Sequence, residues 1–261
     1  MPTVPPTTGR RERHNAAVQS QEPETDTTQP SGPWPAPGPP WPLGAPPSGV
    51  AHPQACAGIA RWAVEYLTLP HAQLGRPGPV CPYVASSLAH NGLHAVVWPG
   101  APRHEHEITS ALHTYRNWFT RTSQPPGSPR NRALLILFPE LQPQDLSWAI
   151  DGVQRLVKTE FVLHGVMIGE FHDGPPSAPG LWNPDFRPLN SPVPMLVLRA
   201  MVPSDLPFLT GDPRHLAAYR ARFPNVPAHR SVGPPSAAGN GGSQLGRRDQ
   251  ARRSEEVMVS G

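Results

Sequence analysis

The distribution of proline limits which parts of this chain can enter regular secondary structure. The chain has 39 prolines among 261 residues, and 14 of them lie in the first 53 residues. Proline lacks the N–H that helices and strand ladders need, so the run PSGPWPAPGPPWPLGAPP at 30–47 favours coil or polyproline II. We therefore predict a disordered proline-rich tail over residues 1–53. Its aromatic residues Trp34 and Trp41 would provide the contacts if the tail docks a partner protein.

The end of the chain is also poor in large apolar residues. Residues 236–256 read SAAGNGGSQLGRRDQARRSEE, which predicts a second disordered tail over residues 229–261. Residues 54–228 are then expected to form one globular domain. The net charge of the whole chain is only +3, and the arginines at 247, 248, 252 and 253 form only a weak basic tail, which argues against nucleic-acid binding. No apolar run reaches the 18 or so residues of a membrane span.

The spacing of apolar residues in this domain predicts alternating helices and strands. Helices are predicted over 54–69, after Cys81, after His106, over 143–164 and from Ser204, and strands over 93–98, 133–138, 166–172 and 195–201. The uninterrupted run ALLILF at 133–138 is typical of a central strand that is covered on both faces. The order predicts an α/β fold, with α+β as the alternative, in which a mixed sheet of three to four strands packs against helices.

Cys81 lies where a loop rich in proline and glycine meets a short predicted helix. Pro82 suits the first helical position, so Cys81 is predicted to be the N-cap. A helix N-terminus favours the thiolate, which can ligate a metal or a haem iron or act as a nucleophile; a buried structural cysteine is the alternative. Cys56 falls on an apolar helix stripe and is predicted to be a core residue. No secretory signal precedes either cysteine, so we expect reduced thiols and a cytoplasmic protein.

Three segments carry polar residues at loops or strand ends around the predicted sheet. Their polar residues of interest are, in chain order, His71, Arg76, Cys81, Glu170, His172, Asp185, Arg187, Arg199 and Asp205. Arg199 is unusual because it lies inside the apolar strand MLVLRAM. A buried arginine rarely lacks an anionic partner, so an ion pair of Arg199 with Asp205 or Glu170 is one interpretation.

A second interpretation of the same residues is a pocket for an anionic cofactor such as haem. In that pocket Cys81 would bind the iron, and Arg76 or Arg199 would bind the propionates. Cysteine chemistry without a cofactor is the rival interpretation, and it needs a general base such as His71 or His172. The residues alone do not decide between these interpretations.

Three stretches of the chain resemble a known family. They are GRPGPVCPYV at 75–84, GVMIGEFH at 165–172 and NPDFRPLNSPVPMLVLRAMVPSDLPFL at 183–209. They resemble the haem-dependent arginine N-hydroxylases of D-cycloserine biosynthesis and a related group of bacterial proteins found beside natural-product biosynthetic genes. The resemblance spans about residues 55–210. It implies a monooxygenase of antibiotic biosynthesis that uses haem, O2 and an external electron donor to convert L-arginine to Nω-hydroxy-L-arginine.

The resemblance also implies how haem would be held. Cys81 would be the axial ligand, since a thiolate pushes electron density onto iron and favours O–O cleavage. His71 and His172 are alternative ligands, with His71 also counted among the cofactor-binding residues. Arg76 and Arg199 would neutralise the propionates.

The remaining roles concern catalysis and the substrate. Glu170 and His172 are expected to take part in catalysis. A guanidinium needs a carboxylate, for which Glu170, Asp185 and Asp205 are candidates, and the α-carboxylate of an amino acid needs an arginine such as Arg187. A non-catalytic pathway protein that docks a partner through the proline-rich tail and a cofactor-free cysteine enzyme are the alternative functions.

Overall fold

The computed structural model describes Met1 and residues 36–122, 131–177 and 183–226. Within these ranges, one mixed sheet of five strands has the order β1-β2-β3-β5-β4. The strands are β1 Trp41–Pro42, β2 Leu93–Val97, β3 Ala133–Leu137, β4 Val166–Phe171 and β5 Met195–Ala200. β2 and β3 run parallel, and the other neighbouring strands run antiparallel. The predicted α/β class and the mixed sheet are confirmed, with one strand more than the upper predicted number.

Helices cover both faces of this sheet. They are α1 Pro53–Trp62, which continues into the π-helical turn Ala63–Leu67; α2 Val84–Ala89; α3 Glu105–Arg121; α4 Val153–Leu163, which follows the 3-10 turn Pro143–Asp145 and the π-helical turn Ser147–Gly152; and α5 Pro213–Arg222. Two further 3-10 helices are Ala72–Leu74 and Pro203–Phe208. None of the helices in the described ranges has both the length and the apolar character needed to cross a membrane.

The sheet separates two apolar cores. The α3/α4 core includes Val96, Ile108, Leu112, Leu134, Ile136, Ile150, Val157, Phe161, Ile168 and Leu198. The α1/α2 core includes Cys56, Ile59, Ala63, Val84, Ala95, Leu135, Leu137 and Met195. Side chains alternate across a strand, so neighbouring residues of β3 belong to opposite cores. This arrangement confirms the prediction that the ALLILF strand is covered on both faces.

The predicted disordered tail is wrong for residues 36–53, where β1 joins the sheet, Leu43 is buried and Pro53 begins α1. β1 pairs with β2, and the backbone N–H of the buried Leu43 donates to the carbonyl of Leu93 at 2.8 Å. The hydroxyl of Tyr115 on α3 donates to the carbonyl of Gly38 at 2.8 Å. Pro42 is tolerated because β1 is an edge strand. Trp34 and the rest of the two predicted tails, apart from Met1, lie outside the described residues.

Candidate functional site

A cavity of about 410 Å³ lies between the end of α1 and two loops that follow α1 and β4. Its volume falls within the range of small-molecule sites. Its lining residues are Trp62, Tyr66, His71, Gln73, Asp185, Phe186, Arg187 and Asn190, and we call it the aromatic cavity. The structure thus brings together three of the sequence-predicted site residues, which are His71, Asp185 and Arg187.

One wall of the aromatic cavity is built where α1 passes into its π-helical turn. Trp62 ends α1 and stacks on Tyr66 of the turn, with ring centroids 5.7 Å apart. Trp62 also meets Phe171 of β4 in a T-shaped arrangement, with ring centroids 6.1 Å apart. Burial raises the pKa of Tyr66, so its hydroxyl keeps its proton and donates to the carbonyl of Pro188 at 3.3 Å. This hydrogen bond joins the helix to the loop opposite.

His71 contributes a fixed imidazole to the same cavity. It precedes the 3-10 helix Ala72–Leu74, and its Nδ1 accepts a hydrogen bond from the backbone N–H of Gln73 at 3.3 Å. Its ring stacks on Phe186, with centroids 4.5 Å apart. Because Nδ1 accepts, the proton of the neutral ring resides on Nε2. While this hydrogen bond holds, Nε2 of His71 is a donor and has no free lone pair for a metal.

Asp185 and Arg187 bring opposite charges to the loop across from His71. The backbone N–H of Asp185 donates to Asn183 Oδ1 at 2.9 Å, and Arg187 Nη1 donates to the carbonyl of Pro184 at 2.7 Å. Within the described ranges, neither Asp185 nor Arg187 has a salt-bridge partner. Arg187 Nη1 also donates to the carbonyl of Phe186 at 3.2 Å. Among the described residues, the groups left for a ligand are therefore the carboxylate of Asp185 and the remaining N–H groups of Arg187.

The aromatic residues of the cavity are the part that sequence reasoning missed. Trp62 and Tyr66 lie at helical spacing within the helix predicted over 54–69, a pattern that favours packing roles for both. The structure leaves both half-buried beside polar loop residues. Tryptophan and tyrosine carry a polar atom at the edge of an apolar ring, which suits a site that is partly wet. Two such residues at the end of a predicted helix, next to a polar loop, are the sequence signal that could have indicated this site.

The prediction that Cys81 caps a helix is wrong. α2 begins at Val84 and its N-cap is Tyr83. The backbone N–H of Cys81 donates to the carbonyl of Leu67 at 2.9 Å, so the chain at Cys81 is held against the end of the first helix. The half-buried thiol packs on the α1/α2 core and does not line the aromatic cavity. Within the part of the chain described, no hydrogen bond joins this thiol to a histidine.

The two arginines predicted to bind propionates are already engaged. Arg76 donates to the carbonyls of Pro79 at 3.0 Å and Val80 at 3.1 Å, and so braces its own loop. Arg199 donates to both carboxylate oxygens of the buried Asp205, at 2.8 and 2.5 Å. Burial alone would lower the pKa of Arg199, but the hydrogen bonds to Asp205 raise it. The structure confirms the ion pair between Arg199 and Asp205. Asp205 is therefore not free to bind the guanidinium of a ligand.

Glu170 and His172 lie on the face of the sheet opposite the aromatic cavity, against the α3/α4 core. His172 is 3% exposed, with Nε2 at 2.9 Å from Asp151 Oδ1 and Nδ1 at 3.0 Å from the carbonyl of Asp173. Both ring nitrogens are therefore occupied and unavailable to iron or to a ligand. Burial raises the pKa of Glu170, against the opposing effect of nearby Lys158. The structure does not bring these two residues to the cavity, as a catalytic role there requires.

The described residues do not fit a haem held by Cys81 with its propionates on Arg76 or Arg199. Cys81 lies outside the aromatic cavity, and both arginines donate to oxygens of the protein. The described residues also contain no cluster of three or more His, Cys, Asp or Glu side chains arranged to hold a metal ion.

The fold and the cavity define a mixed α/β domain with a small-molecule-sized site at the edge of its α1/α2 core. Residues 56–232 match a family described as Domain of unknown function (DUF6875). The match covers more than half of the chain, and the protein belongs to this family. The matched segment contains β2 to β5 and every residue that lines the aromatic cavity. No curated protein and no solved structure matches the chain.

Proposed function

We propose that this protein is an enzyme that binds a cationic α-amino acid such as L-arginine in the aromatic cavity. The observation that carries the proposal is a pair of opposite charges, Asp185 and Arg187, that have no salt-bridge partner among the described residues and line a cavity with aromatic walls. A carboxylate pairs with a guanidinium through two hydrogen bonds, and an arginine pairs in the same way with an α-carboxylate. Trp62 and Tyr66 add aromatic rings to the cavity lining, and aromatic rings attract cations.

For the reaction, we propose haem-dependent hydroxylation of the guanidine nitrogen in a natural-product pathway, with O2 and an external electron donor. This part is supported by the resemblance of residues 75–84, 165–172 and 183–209, and the cavity geometry supports only the binding of the amino acid. The axial ligand in this proposal is a residue other than Cys81, His71 and His172, because Cys81 lies outside the cavity and the histidine rings are held by hydrogen bonds. A cytoplasmic location belongs to the same proposal. It is supported by Cys56 and Cys81, which are both free thiols.

Calorimetric titration of the full chain with L-arginine tests the binding. We expect saturable binding that Asp185→Asn and Arg187→Gln each weaken by about 10- to 100-fold, the cost of losing a charged hydrogen-bonded pair. Arg214→Gln is the matched control, because Arg214 is an exposed arginine on α5 that does not line the cavity, and this variant should bind L-arginine like the wild type.

Agmatine, which lacks the α-carboxylate of arginine, assigns the two charges to the two ends of the ligand. Arg187→Gln should leave the affinity for agmatine almost unchanged. Asp185→Asn should lower the affinities for agmatine and for L-arginine by similar factors. Absence of L-arginine binding contradicts the proposed binding mode. An equal loss of affinity for L-arginine and agmatine in Arg187→Gln contradicts it too.

Purification from haem-fed cells tests the reaction independently of the binding. The expected result is a Soret band and, with a reductant and O2, formation of Nω-hydroxy-L-arginine detected by mass spectrometry. Cys81→Ala should leave the absorption spectrum unchanged, because Cys81 does not line the cavity. A preparation without a Soret band removes haem chemistry and leaves the amino-acid site to be judged by the titration.

A further inference from the structure

The end of β4 connects the aromatic cavity with the opposite face of the sheet. Phe171 and His172 are neighbours in the chain and point to opposite faces, as strand residues do. Phe171 meets Trp62 of the cavity wall, at 6.1 Å between ring centroids. His172 reaches Asp151 in the π-helical turn Ser147–Gly152, which packs in the α3/α4 core. One dipeptide thus contacts both layers of the domain.

The main chain of His172 holds the loop that forms one side of the cavity. Its carbonyl accepts from the backbone N–H of Ser191 at 3.2 Å. It also accepts from the side-chain amide of Asn190 at 3.0 Å, in the amide orientation that also lets the nitrogen donate to Asp173 Oδ1 at 3.2 Å. Asn190 lines the cavity, and its backbone N–H donates to the carbonyl of Arg187 at 3.0 Å. We call residues 183–190 the rim segment.

The imidazole of His172 is locked at both nitrogens. Nδ1 faces the carbonyl of Asp173 and Nε2 faces the carboxylate of Asp151, at 3.0 and 2.9 Å. A carbonyl and a carboxylate both accept hydrogen bonds, so the ring donates to one of them in either tautomer. His172 is 3% exposed, so both contacts are largely shielded from solvent. The position of His172, and of the carbonyl that holds the rim segment, is therefore set from the α3/α4 core.

We propose that His172 is a positioning residue for the aromatic cavity. Fixed by Asp151, it anchors Asn190 and so sets where Arg187 meets the carboxylate of a ligand. The proposal deepens the function proposed above and relies on it only for the choice of L-arginine as the probe.

Hydrogen exchange of the full chain without any ligand tests the anchoring directly. Asp151→Asn preserves the size of the side chain and removes the charge that holds the imidazole. We expect exchange of the backbone amides at 183–191 to quicken by about tenfold, with the amides of β3 unchanged, because only the rim segment loses its anchor. His172→Gln, which also removes the imidazole, should give the same pattern.

Val157→Ala is the matched control, since Val157 belongs to the α3/α4 core and makes no part of this link. It should lower stability without preferentially quickening exchange at 183–191. The same exchange pattern in Val157→Ala and Asp151→Asn would falsify the proposal, because the rim segment would then respond to general loss of stability.

Ligand affinity is a second measurement, and it distinguishes positioning of Arg187 by His172 from a purely structural role of His172. Asp151→Asn should lower the affinity for L-arginine by about tenfold. The affinity for agmatine should fall by less, because agmatine has no carboxylate for Arg187 to bind. Equal weakening of both ligands contradicts the role of His172 in placing Arg187. If the wild type binds neither ligand, the proposed function fails, and the exchange experiment alone decides whether His172 positions the rim segment.

Discussion

Among single residues, Glu170 is a carboxyl whose ionisation the fold opposes. Burial raises its pKa above the ordinary value of 4.5, so the folded state holds this proton more tightly than the unfolded state does. Stability is therefore lost as the pH rises through the folded-state pKa. We expect Glu170→Gln to raise the melting temperature at pH 7, and the gain to shrink to nothing as the pH falls to about 4. Thermal melts across this range check it, with the exposed Glu65→Gln as the control.

The Arg199–Asp205 pair is the second residue-scale feature with a measurable consequence. Asp205 is 2% exposed, while the Arg199 side chain is 34% exposed, which limits the strength of the pair. Asp205→Ala should lower the free energy of unfolding by about 2–3 kcal/mol, because it leaves a partly buried guanidinium unpaired. Urea denaturation measures this loss. Arg214→Gln, at a more exposed ion pair, should cost less, and an equal loss in the two variants would show that burial does not strengthen the inner pair.

Residue-scale prediction from the sequence succeeded where chemistry alone constrains the partner. An arginine inside an apolar strand demands an anion, and Asp205, six residues further on, was one of the two partners considered. It failed at Cys81, because Pro82 suggests a helix start whereas a tertiary hydrogen bond to Leu67 holds the chain elsewhere. Such a contact between segments leaves no mark in the local pattern.

At the scale of elements, the segment over residues 36–52 belongs to the domain. Leu43, next to β1, is 4% exposed and packs in the α1/α2 core. Leu43→Ala should therefore lower the free energy of unfolding by about 2–5 kcal/mol, the usual cost of emptying a core leucine site. Denaturant unfolding of the full chain checks this. Leu163→Ala on α4, where the leucine is 60% exposed, should cause almost no loss.

Elements with strong apolar periodicity were predictable, and those held by tertiary contacts were not. The run at 133–138 gave β3 because an unbroken apolar stretch is buried wherever it lies. β1 has two residues, one of them proline, and forms only because β2 offers it an edge. α5 was missed because its buried residues in the helix, His215 and Tyr219, do not read as an apolar stripe. Neither π-helical turn has a sequence signature that separates it from an ordinary helix.

At the scale of the whole molecule, the sheet determines which distant segments meet. The cavity residues come from 62–73 and 183–190, which more than 100 residues separate in the chain. The sequence identified His71, Asp185 and Arg187 as polar residues in loops. The sequence could not show that these loops meet. Nor could it show that Glu170 and His172, which are equally polar and lie at the end of β4, face the α3/α4 core instead. Which face a residue occupies depends on strand register, and register is set by the partner strands.

The two cores share one sheet, so we expect them to unfold together. Leu134 and Leu135 are neighbours on β3 that face the α3/α4 and α1/α2 cores, respectively. Replacing either one with alanine should cost about 2–5 kcal/mol. Each variant should still unfold in a single transition, because loss of either layer exposes the apolar face of the same central strand.

Circular dichroism and tryptophan fluorescence, followed through the same urea titration, check this expectation for both variants. Coincident midpoints are the expected result, and Leu156→Ala, at a leucine that is 63% exposed, should keep the wild-type midpoint. Two separated transitions in either variant would mean that one core survives without the other. In that case the anchoring of the rim segment through His172 could not stabilise the cavity from the far face, because the link requires both layers to be folded at once.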